Sequence, residues 1–310
     1  MSSHSPLLVI GRSGQVASAL RRLAPQLLPD RPLVVVTRPE LDLAASTGEL
    51  SLTLEQLLCQ HQPALVLNAA AYTAVDKAEI EPELASAINA TAVGVLAHAC
   101  AERSLPLFHL STDYVFAGSG ERPWWEDDPT GPLGVYGASK LAGEQALQAA
   151  GGQHLLLRVS WVFGLEGANF VRTMLRLGAE RPALSVVADQ VGGPTSAEAI
   201  ASTWLSLADA AMSNSSPLDP AQPFPWGIYH YAGQPAVSWH GFAEAIFSEA
   251  VALGLLPHAP QLTAIPSSAY PNPARRPANS RLDTSRFRAA FGLPLPQWRE
   301  DLRRCLHSWA

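Results

Sequence analysis

Leu7-Leu8-Val9-Ile10-Gly11-Arg12-Ser13-Gly14-Gln15-Val16-Ala17 is the stretch from which the rest of this chain is read. Four apolar residues stop at a glycine. Apolar residues then recur at helical spacing from Gln15 to Leu23, so the stretch predicts a buried strand, a tight turn and a helix. Gly11 makes the turn. Gly14 lets the backbone N–H groups that open the helix, at Gln15 and Val16, approach a pyrophosphate at the positive helix end. Ala17 sits where a third small residue permits close helix–sheet packing. A strand–helix turn with no ligand shares this local pattern, but the strand before and the helix after favour a dinucleotide.

The same alternation continues outward. Leu33–Thr37, Ala64–Asn68, Leu105–Leu110 and His154–Val159 read as further short apolar strands. Between them, helices are expected at Leu52–His61, at Pro82–Arg103 and at Gly134–Ala149. Continuous apolar strands separated by helices indicate an α/β fold, a Rossmann-type doubly wound parallel sheet covered on both faces. The pattern loosens after about Trp161. Ser213–Pro225 is turn-rich, Trp239–Leu253 is helical, Pro266–Pro277 is proline-rich, and two short helices end the chain. The expected division is a nucleotide-binding domain over residues 1–165, to which parts of 195–235 return, and a smaller substrate-binding lobe over 166–310.

Composition narrows the class of function. Of 310 residues, 47% are hydrophobic and 15% charged, which indicates a well-buried globular protein. A net charge of −6 argues against nucleic acid or an anionic membrane as partner. Cys59, Cys100 and Cys305 are scattered and odd in number, so they read as buried thiols in a reducing compartment rather than as a disulfide frame or zinc site. The start, Met1 to Pro6, lacks a basic n-region and is not read as a signal peptide. No apolar run of about 18–20 residues free of charge or turn residues stands out, so no membrane span and a cytoplasmic enzyme are expected.

Only two of the 21 basic side chains are lysines, Lys77 and Lys140, and Lys140 lies four residues after Tyr136 in Tyr136-Gly137-Ala138-Ser139-Lys140. On a helix these two share a face, and an ammonium near a phenol lowers its pKa. Alone the pattern is weak, since any amphipathic helix can carry it. Support comes from Ser111-Thr112-Asp113, which leaves the fourth strand at the carboxyl edge where open α/β sheets bind ligands. At the end of the second strand, Thr37-Arg38 stands where an acidic residue would clasp a ribose hydroxyl. Arg38 suits a 2′-phosphate and favours NADP(H), and a solvated surface arginine is an equal alternative. Asp42-Leu43 could bracket an adenine, and Asn68-Ala69-Ala70-Ala71-Tyr72 ends the third strand with small residues over which a flat cofactor can lie.

These motifs resemble the extended short-chain dehydrogenase/reductases and, within them, the dTDP-4-dehydrorhamnose reductase family. The resemblance runs nearly end to end, through Gly11–Val16, Asn68–Glu79, Ser111–Phe116, Tyr136–Glu144 and Arg158–Val162. It continues in Asn169-Phe170-Val171, Asp189–Thr195 and Arg275–Ser280, which are more specific than the superfamily's Tyr/Lys pair. It implies reduction of the C4 ketone of dTDP-4-dehydro-L-rhamnose by NADPH or NADH. Tyr136 would donate the proton, Lys140 would hold the nicotinamide ribose and lower the Tyr136 pKa, and Thr112 would polarise the ketone. Cofactor contacts would come from Gly11, Gly14, Gln15, Val16, Arg38, Asp42, Leu43, Ala70, Ala71 and Tyr72. Thr112, Asp113, Trp161, Arg276 and Asn279 would line the substrate site, with Arg276 suited to a diphosphate. Trp161 could equally be a core aromatic, and Arg276 a structural ion pair. The chain departs from the family at Ala17 and at Thr37. Some relatives dimerise through a metal held by glutamates, but Ala19 occupies the first-helix position and Glu198 alone makes no site, so no metal is carried over and a homodimer is left open. The rivals are another nucleotide-sugar epimerase or dehydratase and a non-catalytic subunit of the methionine adenosyltransferase regulatory type. Thr112-Asp113-Tyr114 lacks the glutamate a dehydratase uses.

Overall fold

A computed structural model describes residues 5–310; the expectation drawn from the first residues lies partly outside them. The opening strand β1 (Leu7–Ile10) runs into helix α1 (Gln15–Leu27), followed by β2 (Leu33–Val36), α2 (Thr47–His61) and β3 (Leu65–Asn68). A continuous helical segment α3 (Pro82–Glu102) leads to β4 (Leu107–Thr112), α4 (Val135–Ala149) and β5 (His154–Val159). The chain then leaves the sheet through α5 (Phe170–Glu180) and β6 (Ala183–Val187), and returns with α6 (Ala197–Met212) and β7 (Gly227–His230). It ends in α7 (Trp239–Ala252), β8 (Gln261–Ile265), α8 (Ser285–Phe291) and α9 (Trp298–His307).

The main sheet is parallel throughout, in the order β7-β5-β4-β3-β1-β2. Side chains alternate across a strand, so each apolar run feeds two cores. Leu7, Val9, Leu65, Leu67, Phe108, Leu155 and Leu157 face a core closed by α1 and α6. Leu8, Ile10, Val66, Leu107 and Leu156 face the opposite core, closed by α2 and α3. The chain winds outward from β1 to β2, then crosses to β3 and continues through β4 and β5. The crevice at the carboxyl ends of β1 and β3 is therefore the topological switch point, where doubly wound sheets bind ligands.

Several local outcomes differ from the expectations: α2 starts at Thr47 rather than Leu52, capped by Ser46, and on it Cys59 is exposed rather than buried. The fourth strand runs to Thr112, beyond the expected Leu110, because Ser111 and Thr112 pair with Arg158 and Val159 of β5. Gly134 is the N-cap of α4 and not its first residue. The helix expected as uniform from Pro82 contains a π turn at Ala87–Thr91. That helix, at 21 residues, is also long and apolar enough to cross a membrane. Its apolar face packs under the sheet through Val93, Leu96, Ala97 and Cys100, which makes it a core helix.

Outside the sheet, a third core gathers Phe163, Val171, Met174, Leu184, Val186, Phe242, Phe247 and Trp298. There α5 and α7 flank a parallel pair of β6 and β8. A three-stranded ribbon of Val237–Ser238, Val191–Gly192 and Asn279–Ser280 lies beside it.

Candidate active site

At the switch point the backbone is shaped for a phosphate. Gly11 has φ +111°, a conformation that disfavours any side chain, and a Cβ there would stand 3.3 Å from Ala70 N. Gly14 is the N-cap of α1 and supplies no side-chain cap, so the first N–H groups of the helix keep their capacity for an external anion. These features fit a dinucleotide pyrophosphate. Val16 is buried in the core, and the Gln15 side chain donates to Val162 O at 3.2 Å, which ties α1 to the segment after β5. Opposite, Ala70 N donates to Asn68 Oδ1 at 3.2 Å and Tyr72 N to Asn89 Oδ1 at 2.9 Å. Asn89 Nδ2 also donates to Tyr72 O at 3.0 Å and to Ser139 Oγ at 3.0 Å. Asn89 thus clamps the strand end to the helix bearing Tyr136. It lies in the π turn, and no sequence spacing singled it out.

Thr112, Tyr136 and Lys140 converge at the carboxyl end of β4. Thr112 Oγ1 accepts from Tyr114 N at 3.2 Å and donates to Asp113 Oδ1 at 3.1 Å. The Thr112 hydroxyl beside the Tyr136 phenol favours its ionised form, but burial outweighs it and the Asp113 charge adds to burial. The result is a phenol pushed up to about 12. The expected lowering by Lys140 is therefore corrected: Lys140 Nζ turns away, donating to Leu110 O at 2.7 Å and lying 3.4 Å from His109 Nε2. Burial also brings Lys140 down to about 8, against the pull of Glu144. Asp113 is buried with one carboxylate oxygen unpartnered. Burial raises it to about 7, while the Ser280 and Thr112 hydroxyls beside it pull the other way.

Two long-range contacts aim α4. Glu79 Oε1 accepts from Val135 N at 2.9 Å, a carboxylate at a positive helix end. Buried Arg158 on β5 grips Glu144 at 2.7 Å and donates to Glu126 O at 3.1 Å. The Asp76-Lys77-Ala78-Glu79 segment thus acts through its acids. Asp76 holds Arg276 Nη2 at 2.8 Å, whereas Lys77 is exposed and makes no ion pair among the described residues.

Around the rim the expected residues divide. Trp161 has φ +49°, in a region bulky side chains rarely occupy, and its ring stacks on Trp239 at 3.5 Å between centroids. Gly192 permits this, since a Cβ there would come within 2.7 Å of the indole. Arg276 stays on the rim, ion-paired to Asp76, with its Nε unpartnered. Asn279 departs from the expected substrate contact. It is buried, its Nδ2 donates to Arg122 O at 2.7 Å and its Oδ1 accepts from Arg281 N at 3.2 Å. Its amide is consumed in pinning the 119–122 loop. Arg38 is exposed at the end of β2, as a 2′-phosphate would require. Asp42 Oδ1 accepts from Ala44 N at 3.0 Å, and Leu43 packs against the core, so both are held by the turn they form.

Known proteins are similar to this chain over nearly its whole length. The family model described as RmlD substrate binding domain matches residues 5–310. The chain is 42% identical over 303 residues to the dTDP-4-dehydrorhamnose reductase of Salmonella typhimurium, spanning 97% of this chain and 96% of that one. It is 41% identical over 302 residues to the Escherichia coli K12 enzyme of the same name, spanning 97% of both. Among solved structures, dTDP-4-dehydrorhamnose reductase from Bacillus anthracis in complex with NADP superimposes with a TM-score of 0.86. That pair is 30% identical and covers 98% of this chain and 99% of the other. A glycine turn at the switch point, a Thr/Tyr/Lys set on β4 and α4, and nearly full-length identity at this level place the chain in the dTDP-4-dehydrorhamnose reductase family, on the extended short-chain dehydrogenase/reductase fold.

Proposed function

We propose that this chain reduces the C4 ketone of dTDP-4-dehydro-L-rhamnose to the alcohol, the last step in making dTDP-L-rhamnose, with NAD(P)H as reductant. The observation that carries the reading is the convergence of the Thr112 hydroxyl and the Tyr136 phenol beside Lys140, at the strand edge next to the glycine turn. NAD(P)H supplies the hydride when bound. The chain's own part is to orient the ketone and deliver the proton. A phenol with pKa near 12 stays protonated at neutral pH, which is the state a proton donor needs. As C4 gains the hydride, the carbonyl π electrons move onto oxygen, Tyr136 gives that oxygen its proton, and the phenolate is reprotonated from solvent. Thr112 directs its hydroxyl at the same oxygen. Lys140 anchors the cofactor ribose, Trp161 forms an aromatic wall for the sugar, and Arg276 offers a guanidinium to the diphosphate. The exposed Arg38 supports NADPH over NADH.

The test is oxidation of NADPH in the presence of dTDP-4-dehydrorhamnose, followed by the reduced-nicotinamide absorbance. Wild type is expected to consume cofactor only with the ketosugar. Tyr136→Phe is expected to lose at least ~100-fold in turnover while binding NADPH nearly as well. No oxidation by wild type sinks the reading, and full turnover by the variant removes Tyr136 from it.

A further inference from the structure

One buried titratable side chain beside the site has no part in the reaction as described. His109 lies on β4, fully buried, between the end of β3 and the helix that carries Lys140. Ala70 N donates to Asn68 Oδ1 at 3.2 Å, and this bond fixes which way the Asn68 amide points. Asn68 Nδ2 therefore faces His109 Nδ1, at 3.1 Å. An amide nitrogen can only donate, so Nδ1 accepts and the neutral ring carries its proton on Nε2. Nε2 faces Lys140 Nζ at 3.4 Å, while Nζ donates to Leu110 O at 2.7 Å. A ring N–H opposite an ammonium sets donor against donor. The contact is favourable only when Nζ presents a lone pair.

We propose that His109 is a positioning residue for Lys140: its Nε2–H faces Nζ, so the imidazole disfavours the ammonium and holds Nζ against Leu110 O, and the lysine gives up its proton more readily than an ordinary one. This rests on reading Lys140 as part of the reductase site. The surrounding charges agree. On α4 itself, Glu144 is compensated by Arg158 of β5 at 2.7 Å, and Tyr136 is uncharged at neutral pH. From β3 only the Asn68 amide faces the ring. Burial first, then Lys140 and His154 of β5, hold His109 well below its usual range, so the imidazole is not a cation. Burial likewise lowers Lys140, with Glu144 opposing.

The chain's lysine scarcity makes the test direct. Isotope-labelled lysine in the full chain yields two side-chain signals, from Lys77 and Lys140, and a free lysine side chain in a model peptide loses its proton near ~10.4. In a pH titration followed by NMR, Lys140 is expected to lose its proton at least about one unit below that model-peptide value. In His109→Phe, which removes the ring N–H, its midpoint should rise by about one unit. In His109→Gln, whose amide N–H can still reach Nζ, it should stay near the wild-type value. A Lys140 that titrates at the model-peptide value, or a midpoint unmoved in folded His109→Phe, overturns the proposal. If His109→Phe does not fold, the imidazole nitrogen shifts of wild type decide, because a proton on Nδ1 overturns it equally. These readings need neither cofactor nor ketosugar, so their failure leaves the reductase reading intact, and an inactive enzyme leaves them intact.

Discussion

Asp113 shows how one buried side chain controls its neighbour. Its carboxyl is pushed up to about 7 by burial, and the groups facing it are the hydroxyls of Thr112 and Ser280 and the phenols of Tyr114 and Tyr136, none of them a cation. Below about pH 7 the carboxyl is neutral and Thr112 can donate its proton to a ketone. Above it, the carboxylate takes that proton, along the 3.1 Å contact already present. The raised pKa therefore puts the productive state on the acid side, and kcat/KM for ketosugar reduction is expected to fall as pH rises through about 7. Asp113→Asn, which cannot ionise, should flatten that limb; a pH profile that keeps the limb in the variant would exclude this role. The Tyr/Lys spacing was legible at this scale, since a helix puts Tyr136 and Lys140 on one face. Which way Lys140 turns was not, because its partners Leu110 and His109 come from another strand.

At the scale of elements, the site depends on how closely α4 approaches α3. Gly143 makes that approach possible, for a Cβ there would come within 2.0 Å of Asn89 O. The same crossing lets Asn89 reach Tyr72 and Ser139 from the π turn. Gly143→Ala must push the helices apart, and a loss of about 1–3 kcal/mol is expected as a lower urea midpoint. Turnover should fall as well, because α4 carries Tyr136. An unchanged midpoint would show that the crossing adapts freely. Strand existence was readable from apolar runs, while strand ends were set by pairing partners. β7 escaped the reading because Gly227-Ile228-Tyr229-His230 has neither length nor alternation, and becomes a strand only by adding to β5.

The whole molecule is joined through a buried ion pair. Arg158 links β5 to α4 through Glu144 and to the 126 loop through Glu126 O, with both ends of the pair almost solvent-free. Arg158→Leu strands the Glu144 charge, and such a break costs about 3–5 kcal/mol. Chemical denaturation should register that loss, and Arg158→Leu combined with Glu144→Leu should recover much of it. A double variant no more stable than the single one would refute the explanation by stranded charge. By itself the amino-acid sequence determined the alternation of strand and helix, the glycine turn after β1, and the Tyr136/Lys140 face. Each of these follows from local periodicity or local backbone freedom. Tertiary structure alone decided that Glu79 caps α4, that Asn279 pins a loop instead of meeting a ligand, that Asp76 claims Arg276, and that Lys140 faces His109. Those contacts join residues far apart in the chain or on different elements, and a hydrogen bond or ion pair exists only where packing brings donor and acceptor within reach.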